Sequence, residues 1–324
     1  MKINHCFADH LLCRFFSFTV IMVISVILLY YSSLGNAQGT SPAATSLDIP
    51  DRVEFAGMVI PLNRYDMRER YDREQLSFAY NPASTTLMIK RANVYFPIIE
   101  PILKEYGIPN DFKYLALVES HFNPRAISSA KAAGIWQFMP ETGKQYDLEV
   151  SDDIDERYHI IKSSRAACRY LQDAYQMFGN WICAAASYNT GMNRVSRQQQ
   201  LQLTQNCFDM LLVDETSRYI FRILAIKEIL RNPQKYGFHI KRQHFYPHIG
   251  FYEVAVTESV SNWAEFARNF GITYAQLKDF NIWIRGNKLD NKTNKLYEIR
   301  IPRREDMHFD PKRIKVYQEN WVVD

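Results

Sequence analysis

YLALVESHFNPRAISSAKAAGIWQFMP, residues 114–140, decides how this chain is read. The run begins inside an apolar pattern that opens at Phe112, and its helical part carries one acid, Glu119. With Phe112 as origin and a step of about 100° per residue, Leu115, Ala116 and Glu119 fall near ~300°, ~40° and ~340°, on one stripe. A helix here must stop near Ser120 or His121, because Asn123-Pro124 cannot continue it. Glu119 is therefore expected in the last turn, on the apolar face. Desolvation and the negative end of the helix dipole both disfavour a charged carboxylate there. A carboxyl group held neutral near pH 7 can donate a proton. Taken alone, such an acid is more often a structural group bonded to a backbone amide.

The residues beyond the helix weigh against that structural reading. Residues 122–133 form a small, polar loop, and Gly134 then opens the compact run Ile135-Trp136-Gln137-Phe138-Met139-Pro140. Further on comes Ser187-Tyr188-Asn189-Thr190-Gly191. Glu119-Ser120, Ser128, the 134–140 run and the 187–191 segment together resemble the signatures of the family-1 lytic transglycosylases. These are bacterial enzymes that cut the glycan strands of peptidoglycan. The pattern is nearest to the membrane-bound D type, with Trp136 and Phe138 where simpler members carry smaller or aliphatic residues. Glu215-Thr216-Ser217-Arg218-Tyr219 is similar to a further family segment.

The resemblance implies a lysozyme-like all-α domain in which a single Glu acts first as acid and then as base. On that basis Glu119 is the expected catalytic residue. Ser128 is expected near the sugar's acetamido group or the acid. Gln137, Met139, Tyr188 and Asn189 are expected to line sugar subsites, with Tyr188 also orienting Glu119. Tyr219 is expected to point into the cleft. Ordinary glycosidases use two carboxylates; after Glu119 the next acid in the chain is Glu141. A hydrolase on the same scaffold and a non-catalytic wall-binding protein are the alternatives.

Composition narrows the rest. The chain has 324 residues, 47% hydrophobic and 23% charged, with a net charge of +4. That charge is too small and too evenly spread to point to nucleic acid. There is no CxxC or HExxH spacing and no Gly-rich phosphate loop, so neither metal nor other cofactor is expected. The acidic segment 152–156 lacks the glycine and spacing of an EF-hand and reads as a solvated loop or helix cap. The resemblance makes Asp155-Glu156-Arg157 scaffold around the cleft.

The N-terminus reads as a targeting segment. An uncharged run spans residues 15–31, and Gly35 and Ala37 suit signal-peptidase cleavage before Gln38. An uncleaved membrane anchor, and with it membrane association through this segment, is the alternative. Either way the body is expected to be exported, to the periplasm or cell envelope, with peptidoglycan strands as its partner. Beyond residue 37 the cysteines are Cys168, Cys183 and Cys207, which permits one disulfide without naming its members.

The domain reading is a targeting segment at 1–37, a linker and N-terminal extension at 38–84, an all-α domain at 85–240, a small module at 251–302 and a charged tail at 303–324. An extended stretch is expected at 53–62, helices at 66–78, 84–106, 141–146, 160–178, 181–188 and 214–230, and a polar helix or loop at 193–202. Pro97 and Pro101 are expected to kink or interrupt the second of these. In the module, a strand at 252–256, apolar positions 263, 266, 267 and 270, a Thr273/Gln276 capping box and a strand at 296–301 give a β-α-α-β order. That order resembles a LysM domain, a peptidoglycan- and chitin-binding unit. Two departures stand out: Thr257-Glu258-Ser259 replaces the usual turn, and residues 285–295 look inserted.

Overall fold

A computed structural model describes residues 45–323. The targeting segment at 1–37, with its cleavage site, and most of the linker lie outside the described residues. Strands β1 (Arg52–Phe55) and β2 (Met58–Pro61) come first, then helices α1 (Tyr65–Ala79), α2 (Pro82–Glu105), α3 (Phe112–Ser120) and α4 (Pro140–Gln145). Helices α5 (Ile160–Phe178), α6 (Trp181–Thr190), α7 (Met192–Gln202) and α8 (Asp214–Arg231) complete the helical body. The module is β3 (Phe251–Val256), α9 (Trp263–Asn269), α10 (Tyr274–Phe280) and β4 (Tyr297–Pro302). The fold is mainly α, followed by the expected β-α-α-β unit. Among the described residues no helix is long and apolar enough to cross a membrane.

Helix α3 is the hub, packed against α2 and α8. Every residue in it is buried except Glu119, so it has no solvent face of the amphipathic kind. The acid occupies the single window in an otherwise enclosed helix. The other helices pair around it: α1 along α8, α2 against α5, and α6 against α5, α7 and α8.

Several elements differ from the sequence reading. The extended stretch is a hairpin, because Ala56 and Gly57 both take positive φ and turn the chain, pairing Arg52 with Pro61 and Phe55 with Met58. Helix α2 runs unbroken through Pro97 and Pro101. Pro97 has no N–H for the Asn93 carbonyl, and His248 Nε2 meets that carbonyl instead at 3.0 Å. Both prolines face solvent, where their rings meet little. Cys183 and Cys207 form a disulfide, and Cys168 is a buried free thiol that burial pushes up to about 12.

The acidic segment divides: Asp152 is exposed, and Asp155 is the expected helix cap, its carboxylate accepting the Arg157 N–H at the start of a short 3-10 turn. Asp155 and Glu156 are buried, Asp155 against the Arg157 guanidinium at 2.7 Å and Glu156 against Lys162 at 2.5 Å. The charged segment after Arg303 is likewise a strap across the helical body. Its Trp321 is fully buried and donates to the Leu230 carbonyl at 2.6 Å, and Tyr317 donates to Asn93 and Glu100 of α2.

In the module β3 and β4 pair antiparallel, Phe251 opposite Pro302 and Val256 opposite Tyr297. The Thr273/Gln276 capping box is formed in full. Trp263, Leu277 and Ile299 make its fully buried centre.

Candidate active site

The end of α3 is set by two left-handed residues in succession, His121 (φ 50°) and Phe122 (φ 49°). Such geometry costs a non-glycine residue roughly 1–2 kcal/mol, so the surroundings must hold it. They do: the His121 N–H donates to Leu117, Arg91 donates to the His121 carbonyl at 3.0 Å, and the Phe122 ring is fully buried against Tyr95 and Phe96. Glu119 is thereby fixed in the last turn, as its spacing predicts.

Next to it, the Ser120 hydroxyl donates to the Ile135 carbonyl at 2.9 Å, tying the helix end to the 134–140 run. That run is packed from behind. Gly134 has φ 77°, and a Cβ there would lie 2.0 Å from the Arg157 carbonyl oxygen, which no side chain tolerates. Trp136 is fully buried, with its indole N–H on Ser164 Oγ at 2.8 Å. Gln137, itself at φ 49°, folds its amide back to the Gly134 carbonyl at 2.8 Å.

Glu119 has one short side-chain partner. The Tyr219 hydroxyl, from the second turn of α8, donates to Glu119 Oε1 at 2.5 Å. Desolvation raises the carboxyl from its ordinary 4.5 to about 7. The Tyr219 hydrogen bond and the Arg222 charge oppose that rise, while the Glu215 charge adds to it. Crowding by protein is therefore the dominant effect, although the side chain keeps partial access to solvent. Burial together with the Glu119 charge drives the Tyr219 phenol well above its usual range, so it stays a donor.

Of the two phenols, it is the Tyr219 hydroxyl that meets Glu119. The Tyr188 hydroxyl donates instead to the Trp136 carbonyl at 2.9 Å, and its ring packs against Tyr170, Trp136 and Phe138. Tyr219 already stood out in the sequence through its place in the Glu215–Tyr219 segment.

Gln137, Met139, Tyr188 and Asn189 do come together, lining one groove of about 670 Å³ with Phe138 and Tyr146. Asn189 accepts a hydrogen bond from Thr216 at 2.7 Å, which links the groove wall to α8 near Tyr219. Glu119, Tyr219 and Ser128 are not among the groove's lining residues. Ser128 works within its own loop, its Oγ accepting the Ala132 N–H at 3.0 Å.

Comparison with known proteins agrees with this architecture. Residues 96–209 match the transglycosylase SLT domain, and residues 252–305 match the soluble lytic transglycosylase C-terminal LysM-like domain. The chain thus carries both domains, one after the other. It is homologous to the membrane-bound lytic murein transglycosylase D of Escherichia coli (strain K12), with 31% identity over 204 residues, 61% of this chain and 44% of that protein. A putative soluble lytic murein transglycosylase of Haemophilus influenzae is 28% identical over 162 residues, 46% of this chain and 27% of that protein. Among solved structures, the 70 kDa soluble lytic transglycosylase SLT70 of Escherichia coli aligns with 51% of this chain and 29% of its own, at 23% identity and a TM-score of 0.40. The chain spans under half the length of the transglycosylase D relative it matches.

Proposed function

We propose that this protein is a peptidoglycan lytic transglycosylase acting in the cell envelope. The carrying observation is Glu119: one acid in the only window of a buried helix, raised to about 7 and held by a phenol. The SLT domain match and the murein transglycosylase names of its relatives support the substrate class.

In this reading the protonated Glu119 gives its proton to the glycosidic oxygen between N-acetylmuramic acid and N-acetylglucosamine. The C1–O bond breaks, and the muramic ring's own 2-acetamido oxygen bonds to C1. Glu119, now a carboxylate, then takes the proton of the C6 hydroxyl. The C6 oxygen displaces the acetamido oxygen at C1 and closes a 1,6-anhydro ring, with no water consumed. A carboxyl near 7 is suited to both halves, since it gives and regains a proton at little cost near neutral pH. Tyr219 steadies the anionic form between them. Gln137, Met139, Tyr188 and Asn189 form a subsite wall in the adjoining groove, and Ser128 shapes the loop beside it. Export through the N-terminal segment, with cleavage or anchoring, is part of the same reading.

Mass spectrometry of digested peptidoglycan tests it. Muropeptides lighter by one water than the hydrolytic products are expected. Reducing ends alone would replace the transglycosylase with a hydrolase, for which Glu215 is the carboxylate to examine, because its charge reaches Glu119. Intact strands would point to a wall-binding role.

A further inference from the structure

Residues 283–286, at the entry to the segment that looks inserted, meet the catalytic body. The backbone of Ile284 pairs with Ile154, the Asp155 N–H donates to the Trp283 carbonyl at 2.8 Å, and the Arg285 N–H donates to the Asp153 carbonyl at 2.7 Å. Gly286 makes this approach feasible: a Cβ there would lie 2.1 Å from an Asp153 carboxylate oxygen and 3.2 Å from its Cα. Lys278 holds the segment in shape from inside the module, donating to the carbonyls of Ile284 and Gly286 at 2.7 and 2.6 Å. Trp283, Ile284 and Leu289 share one buried apolar cluster with Ala133, Ile154 and Tyr158 of the catalytic body.

Contact continues inward from there. Asp155, fixed by Trp283, receives two guanidinium hydrogen bonds from Arg157, at 2.9 and 2.7 Å. The remaining Arg157 nitrogen donates to the carbonyls of Lys131 and Phe138 at 2.7 and 3.0 Å. Those two carbonyls belong to the loop that carries Ser128 and Gln137 and ends in the groove wall. The loop also holds itself, through the reciprocal Ala133–Phe138 and Ser128–Ala132 bonds and the Gly134 N–H on Ala126, but the Lys131 and Phe138 carbonyls are where Arg157 ties it to Asp155.

We propose that the C-terminal module is a brace for the catalytic loop, with Arg157 as the positioning residue that transmits its docking. The module then contributes to turnover through residues 283–286 pressing on Asp153–Asp155, whether or not it also binds sugar. For its effect on turnover this rests on the transglycosylase reading, but the mechanical part does not. The bidentate geometry is specific to a guanidinium, which alone offers donors to a carboxylate and to two carbonyls at once.

Amide hydrogen exchange on the full chain is the first test, because it needs no substrate. In Gly286→Val, exchange at Ala133, Gly134 and Phe138 is expected to rise about tenfold or more, with the amides of α8 unchanged. The double surface variant Arg125→Ala/Arg285→Ala removes the Arg125–Asp279 pair and the guanidinium over the Tyr158 ring. It is expected to move the same amides less, and it keeps the test open should Gly286→Val not fold. Arg157→Lys, which retains the charge beside Asp155, is expected to leave the loop amides unprotected even so. On peptidoglycan, Gly286→Val is expected to lower kcat about tenfold with KM changed less than twofold, since the loop loses order and not contact area. Loop exchange identical to wild type in both docking variants would overturn the brace, whatever Arg157→Lys does. If the wild-type chain forms no anhydro product, the transglycosylase reading fails while the exchange result still decides the brace.

Discussion

Two of the enclosed-acid neighbourhoods among the described residues are built on opposite principles. At the junction, Asp155 and Glu156 are enclosed with cations: Arg157 for one, Lys162 and Lys295 for the other. At the end of α3, Glu119 is enclosed with a phenol. A cation beside a buried carboxylate offsets the cost of desolvating it; a phenol offers one neutral hydrogen bond, and at Glu119 desolvation still prevails. Burial is therefore not what separates a structural acid from a chemical one. The partner's charge is.

The sharpest way to break this contrast is Glu119→Gln, which keeps the shape and removes the proton. Its kcat is expected to fall by about 10³-fold or more, read as the rate of anhydro-muropeptide release. The same variant has a stability signature. Between 4.5 and about 7 the folded protein holds a proton at Glu119 that the unfolded chain has lost, so wild-type stability falls as pH rises through that window. Glu119→Gln is expected to escape that loss and to be more stable than wild type by about 1–3 kcal/mol at pH 8 but not at pH 4, by urea unfolding.

At the junction the sign reverses. Arg157→Ala strands Asp155 without its cation and is expected to cost about 3–5 kcal/mol in the same unfolding assay, at neutral pH. Equal stability to wild type would mean that the pair is not buried as described.

A smaller effect separates the two phenols. Tyr219→Phe removes the bond that favours the charged form of Glu119, so the upper limb of the kcat–pH profile is expected to move about one unit higher, with kcat down roughly tenfold. An unmoved limb would return the orienting role to another group. Tyr188→Phe is expected to leave that limb in place and to cost only about 1 kcal/mol of stability, since its hydroxyl serves the Trp136 carbonyl.

Most of the helical body and the module were legible in the sequence because their signals are local. Apolar periodicity, the Thr273/Gln276 capping box and the Asn123-Pro124 stop each act within a turn or two of chain. Glu119 was legible for the same reason. Features set by distant partners escaped. The Asn93 carbonyl that Pro97 leaves unmet in α2 meets distant His248, and the interior Asp155 and Glu156 meet Arg157, Lys162 and Trp283. The choice of Tyr219 over Tyr188 turns on how α6 and α8 meet α3, which no spacing within either helix encodes. The hairpin at 52–61 was lost to a local cause, an Ala-Gly turn that lacks the more familiar Asn-Gly or Asp-Gly signature.

The strap after β4 gives the module an unusual tether. Because Trp321 is seated under the Leu230 carbonyl and Tyr317 on α2, the module leaves the helical body at one point and the chain returns to that body at another. Kinetically it is a closed loop and not a free pendant. If the docked segment lets go, both ends of the module remain held, and the local concentration for redocking stays high. Release then becomes a brief breathing motion, and lasting separation requires the strap to peel from the body as well.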